Sequence, residues 1–134
     1  MSERKQALVE LRDRVKAGSD NHEDFLVALR VILPEPAGSD TPEHVARGRV
    51  GKFIHYGAFT DAAKALHEAV LPDEGWEICR KAKYPGMIPG SSPYPFRAEV
   101  GWGTVHVGNA DNPARAWLTA ILEALIVKEN ADDK

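Results

Sequence analysis

Apolar positions along this chain recur with two periods, and the place where the period changes divides it. Leu8, Leu11 and Val15 are spaced by three and four residues, and Phe25, Leu26, Leu29, Ile32 and Leu33 follow the same rule. That spacing puts each set on one helical stripe. The first helix is expected over residues 3–16, with Ser2 as N-cap and Gly18 as a left-handed stop. The second follows Asp20, whose carboxylate can cap it while Glu23 sits three residues on, and Pro34 ends it. Together they predict a helical hairpin joined at Gly18-Ser19.

Residues 34–42 read as a loop. Thr41 and Pro42 then supply an N-cap and a first helical position, predicting a short turn through Ala46. Over residues 48–60, Phe53, Ile54, Tyr56 and Phe59 ask for burial while Gly51 and Gly57 interrupt any regular period. This stretch is expected to be irregular, with room for a short strand. Thr60 predicts the cap of a third helix over 61–71, with Ala62, Ala65, Leu66, Ala69 and Val70 inward, closed by Pro72.

Beyond Gly75 the period falls to two, the signature of half-buried strands. Over 76–82, Trp76 and Ile78 face one side, Glu77 and Cys79 the other. Over 96–102, Phe96, Ala98 and Val100 point inward, Arg97 and Glu99 outward. After a tight turn at Gly103, residues 104–108 place Val105 and Val107 inward, Thr104 and His106 outward. Asn112 and Pro113 cap a last amphipathic helix over 114–127, lined by Trp117, Leu118, Ile121, Leu122, Leu125 and Ile126, with a frayed tail from Lys128. The fold class is therefore α+β: an antiparallel sheet of about three to four strands with helices packed on it, behind an N-terminal helical hairpin.

The chain of 134 residues suits a single domain with a real core. A net charge of −3 argues against a nonspecific nucleic-acid binder. No apolar run approaches the roughly 20 residues of a bilayer span, so no membrane partner is expected. The first six residues lead into a helix rather than a signal segment. Cys79 is the single cysteine, which fits a reducing, cytoplasmic setting and a packing role.

Three segments resemble a known family. Tyr56-Gly57-Ala58-Phe59-Thr60-Asp61-Ala62-Ala63-Lys64-Ala65-Leu66 is the first, Pro72-Asp73-Glu74-Gly75-Trp76 the second. Asn112-Pro113-Ala114-Arg115-Ala116-Trp117, ahead of Ala124-Leu125, is the third. Together they resemble the phage ABA (α-β-α) sandwich domain proteins, over residues 56–127, about half the chain. The resemblance implies a phage or prophage origin and a sandwich fold. It brings no activity and no catalytic residue set.

The chemistry-bearing candidates fall in three groups. Residues 83–95 form a connection longer than an ordinary hairpin loop, stiffened by prolines. Tyr84, Met87, Ile88 and Tyr94 on it are of types that interfaces favour, and Arg97 and Glu99 lie beside it. Either these side chains meet a protein partner or they fold back over the sheet. Gly48-Arg49-Val50-Gly51-Lys52 places cations between glycines; with Arg47 and His55 it could hold a small anionic nucleotide, the amides approaching a phosphate. It is neither a Walker loop nor a dinucleotide fingerprint.

Five histidines, His22, His44, His55, His67 and His106, show no zinc spacing. His67-Glu68 reads as a solvated helix edge and His55 as a packed structural residue. His106 could meet Glu99 across the hairpin, either as an acid/base pair or as an exposed cross-strand contact. The sequence calls for no cofactor and no metal. The expected function is a cytoplasmic accessory protein that binds and blocks a host protein, such as an anti-CRISPR-like block of host defence, and is not an enzyme. The alternatives are an oligomeric sponge for a nucleotide signal and a small hydrolase using His106, Glu99 or His55.

Overall fold

The computed structural model describes residues 3–18, 20–33, 41–80, 95–101 and 103–132. Its elements are α1 (Glu3–Lys16), α2 (Asn21–Ile32), α3 (Pro42–His55), α4 (Phe59–Val70), β1 (Trp76–Arg80), β2 (Phe96–Val100), β3 (His106–Ala110) and α5 (Pro113–Asp132). The three strands are antiparallel in the order β1-β2-β3. The class is α+β, with helices packed on the sheet.

The first hairpin forms as its caps dictate. Gly18 takes φ +74° and stops α1. Asp20 accepts from the amides of His22 and Glu23 and starts α2. Ser2, Ser19 and Pro34 lie outside the described residues. Leu8, Leu11, Val15, Phe25, Leu29, Ile32 and Leu33 are buried, so both stripes face the core.

Residues 48–55 are helical, not irregular. Thr41 Oγ1 accepts from the His44 amide at 3.2 Å, and Pro42 opens the first turn. The helix then runs through Gly48 and Gly51 to His55. Each interior glycine costs about 1 kcal/mol against alanine. Burial of Val50 and Ile54 offsets this, and Gly51 lets α2 come close, since a methyl there would lie 3.7 Å from Leu29. Gly57 is the stop. At φ +72° it lets its own amide bond the Ile54 carbonyl at 3.0 Å and the Ala58 amide bond the Phe53 carbonyl at 2.8 Å. These two bonds are the Schellman closure of a helix. Tyr56, expected to be buried, lies in this turn and is 72% exposed.

The next helix starts two residues earlier than expected, at Phe59. Its N-cap is Ala58, with no side-chain bond, so Thr60 is inside α4 and not its cap. Ala62, Ala65 and Leu66 are buried as expected, whereas Ala69 is exposed.

The last helix is buried almost all round. Every residue from 114 to 122 is buried. The sheet, through β3 and β2, lies on one side of α5, while α1 and α4 lie against it as well. It is a central helix rather than an amphipathic one. It also continues to Asp132 instead of fraying at Lys128, and Glu129 on that last stretch accepts from Arg4 Nε at 2.8 Å.

The third strand runs in the opposite phase to the one expected. Pairing of Val100 with His106 and of Ala98 with Gly108 puts His106, Gly108 and Ala110 on the core face. Val107 lies opposite Glu99 on the outer face, and Val105, ahead of the strand, is exposed. Gly108 explains the inversion. A Cβ there would sit 2.1 Å from the Ala116 carbonyl oxygen and 2.7 Å from the Ala120 amide nitrogen. The backbone of α5 touches the backbone of β3, and only glycine fits the contact.

Candidate functional site

The sheet's two faces differ in chemistry. The register sets Glu77, Glu99 and Val107 in one row across the strands, and Cys79, Arg97 and Asn109 in the next. Trp76, Ile78, Ala98 and Val100 take the alternate positions toward α5. The outer face thus carries two acids, one guanidinium, a thiol, an amide and one branched apolar side chain. Glu77, Cys79 and Arg97 are exposed, and the other three are half-buried. Of the predicted partner-contact residues, Arg97 and Glu99 lie here. Arg97 Nη2 pairs with Glu99 Oε1 at 2.8 Å along the strand.

The row of carboxylates is unfavourable by itself. Glu77 and Glu99 stand directly opposite each other, and like charges in that relation destabilise a sheet. Arg97 offsets the Glu99 side. Glu77 instead accepts from Cys79 Sγ at 3.5 Å. That bond, then desolvation and the charges of Glu77 and Glu99, push the Cys79 thiol above its ordinary pKa, with Arg97 opposing. The thiol stays protonated at neutral pH and is no activated nucleophile.

The acid/base pair considered from sequence does not form. His106 is on the inner face and Glu99 on the outer one, because they belong to adjacent, not matching, rows. His106 instead lines a cleft of about 340 Å³ with Glu74, Thr104 and Lys128, floored by Leu71, Ala124 and Val127. None of Glu74, Thr104 and Lys128 is a site candidate from the sequence; the fold alone brings them to His106.

The anion-binding candidates all fall on α3, at or near its C-terminal half. Their amides are spent on helical hydrogen bonds, so Gly48–Gly51 offers no phosphate cradle. Arg47 donates to the Leu33 carbonyl at 3.1 Å, capping α2. The Arg49 guanidinium lies 5.9 Å from the Phe53 ring centre. Lys52 and His55 are exposed, and the His55 ring meets Tyr56 edge-on at 5.2 Å. Arg49 also borders a cleft of about 520 Å³ between α3 and α4, with Val45, Ala46, Ala65, Glu68 and Ala69.

His67 is no solvated edge. It is 2% exposed. Its Nδ1 lies 3.3 Å from Trp117 Nε1 and its Nε2 2.8 Å from the Glu74 carbonyl. An indole nitrogen can only donate, so Nδ1 accepts and Nε2 carries the proton. Asp24, Arg115 and Thr119 are also buried; Arg115 is joined to Asp24, Asn21 and the Val15 carbonyl. One signal for it was legible: Arg115 is the lone charge in the apolar stretch 114–122.

Tyr84, Met87, Ile88 and Tyr94 lie outside the described residues. Among the described residues no helix is long and apolar enough to cross a membrane. Compared with known proteins, the chain matches no family model, no curated protein and no solved structure.

Proposed function

We propose that this chain is a phage- or prophage-encoded accessory protein that binds a host protein on the outer face of its sheet and blocks it. The observation that carries the reading is the pair Glu77 and Glu99. Two carboxylates stand opposite each other on the outer face, Glu77 exposed and Glu99 half-buried. The one guanidinium beside them, Arg97, is bonded to Glu99 and, among the described residues, leaves Glu77 without a cation. A lysine or arginine from a partner would complete the pairing, and Val107 beside them adds apolar contact. Electrostatic complementarity of this kind sets the orientation and rate of docking. The partner is therefore a protein with a basic patch.

The separation of His106 from Glu99 favours binding over hydrolysis. The dispersal of Arg47, Arg49 and Lys52 around α3 argues likewise against the nucleotide sponge.

The test compares variants in capture from host-cell lysate. Glu77→Lys with Glu99→Lys is expected to reduce recovery of the captured protein at least tenfold, about 1.4 kcal/mol. Lys52→Glu, on exposed α3 surface, should leave recovery unchanged. Equal recovery by all three proteins would move the interface off the sheet.

A further inference from the structure

The edge of β1 has a chemistry that would fit another copy of the same chain. Among the described residues β1 pairs with β2 alone. The Gly101 amide bonds the Gly75 carbonyl at 2.9 Å, and these two residues are directly opposite in the register. Ladder bonds alternate along an antiparallel pair. Glu77 and Cys79 therefore also spend their backbone groups on β2. Trp76, Ile78 and Arg80 turn theirs to the edge.

Those three residues form a self-complementary set. In an antiparallel pairing centred on Ile78, Ile78 meets Ile78 of the second copy, and Trp76 meets its Arg80. The amide and carbonyl groups of all three then bond in the manner of one continuous ladder. The indole of Trp76 stacks on Trp117 at 4.3 Å on one side and remains 47% exposed. Arg80 is exposed. A guanidinium over a tryptophan face is a favoured contact. Among the described residues, α5 packs mainly over β3 and β2 and reaches β1 least, so it covers the inner side of this edge less than the rest of the sheet. On the outer side, Glu77 meets Cys79 of the second copy, so the pairing sets no like charge opposite the carboxylate.

We propose that two copies of this chain associate by antiparallel β1–β1 pairing about Ile78, making one six-stranded sheet. The outer face of each copy stays open, so the pairing is independent of the partner reading above. The edge is one strand of five residues, small against the roughly 1,000 Å² that a stable interface needs. The dimer is therefore weak and concentration-dependent.

Sedimentation equilibrium on a series reaching about 1 mM, where a Kd for such a weak interface would lie, is expected to show monomer and dimer. Ile78→Pro removes an amide that points away from β2, and it should shift the equilibrium at least tenfold toward monomer. A second variant fixes the register without touching that ladder. Glu77→Cys places its thiol opposite Cys79 of the second copy, in a position where Cα atoms lie about 4.5 Å apart. Mild oxidation should link this variant into dimers far faster than the parent chain. Monomer at every concentration, a dimer unmoved by Ile78→Pro, or a dimer that Glu77→Cys does not cross-link would each overturn the proposal. A β1 edge that accepts only a strand from a different protein gives the first of these results.

Discussion

Arg115 Nη1 donates to Asp24 Oδ2 at 2.8 Å, with both side chains buried and 91 positions apart in the chain. This bond ties the start of α5 to the start of α2. The same guanidinium donates to the Val15 carbonyl at 2.8 Å, so it also closes the end of α1. The other Asp24 oxygen takes Arg14 Nε at 2.8 Å. Three helix ends meet on one charge pair, which orients the hairpin on the central helix.

Breaking one side of such a pair leaves a buried charge, a loss of about 3–5 kcal/mol. Arg115→Met should fall at the lower end, because Arg14 still neutralises Asp24. Asp24→Leu strands the guanidinium and should fall at the upper end. The double variant should lose less than the sum of the two. Urea unfolding of the four proteins checks this; strict additivity would mean that the two groups do not interact.

Gly108 predicts a second, sharper sensitivity. Any side chain there meets the backbone of α5 at Ala116 and Ala120, which cannot swing away. Gly108→Ala should destabilise by about 3 kcal/mol, the upper range for overpacking. Gly103→Ala, with nothing within 4 Å of the added methyl, should stay within about 0.5 kcal/mol of the parent protein. Thermal unfolding of the two variants side by side decides it.

The same glycine marks a limit of reading this fold from its sequence. Local chemistry was legible: Asp20, Thr41 and Asn112 cap the helices their positions suggested, as Asn112 Oδ1 does by accepting from the Arg115 amide at 2.9 Å. The phase of β3 was not. Alternation alone sends Val105 and Val107 inward, since a valine buries more apolar area than a glycine. Backbone contact between α5 and β3 outweighs that preference, and it is a tertiary fact. Helix α3 was lost for a different reason. Read by alternation, Gly57 interrupts the segment, whereas it is the left-handed residue that ends the helix. The site was legible only as the outward phase of Arg97 and Glu99; their juxtaposition with Glu77 required the register.

Helix α5 should respond as a closed core. Leu118 and Ile121 are fully buried among sheet and helices, so truncation to alanine at either should cost about 2–5 kcal/mol. His67→Ala should cost about 1–3 kcal/mol, since it strands the buried Trp117 indole nitrogen as well as the Glu74 carbonyl. The near-ultraviolet signal of Trp117 should change with it. An unaltered signal with unaltered stability would mean that Trp117 finds another acceptor.

The Cys79 thiol offers a direct probe of the outer face. Its pKa is held above the ordinary thiol range chiefly by its bond to Glu77, then by desolvation and the charges of Glu77 and Glu99. The thiolate is the reactive form, so a raised pKa means slow alkylation at neutral pH despite full access. Glu77→Gln keeps an acceptor near the thiol but removes the charge. The pKa should fall toward the ordinary value, and the pH at which iodoacetamide reacts at half its limiting rate should fall with it. Arg97→Gln removes the one contribution that lowers the pKa, and should move that midpoint upward. Measuring the rate against pH for the three proteins tests the row and the register together. If Glu77→Gln leaves the midpoint in place, the carboxylate does not face the thiol, and the outer-face arrangement on which partner binding rests is wrong.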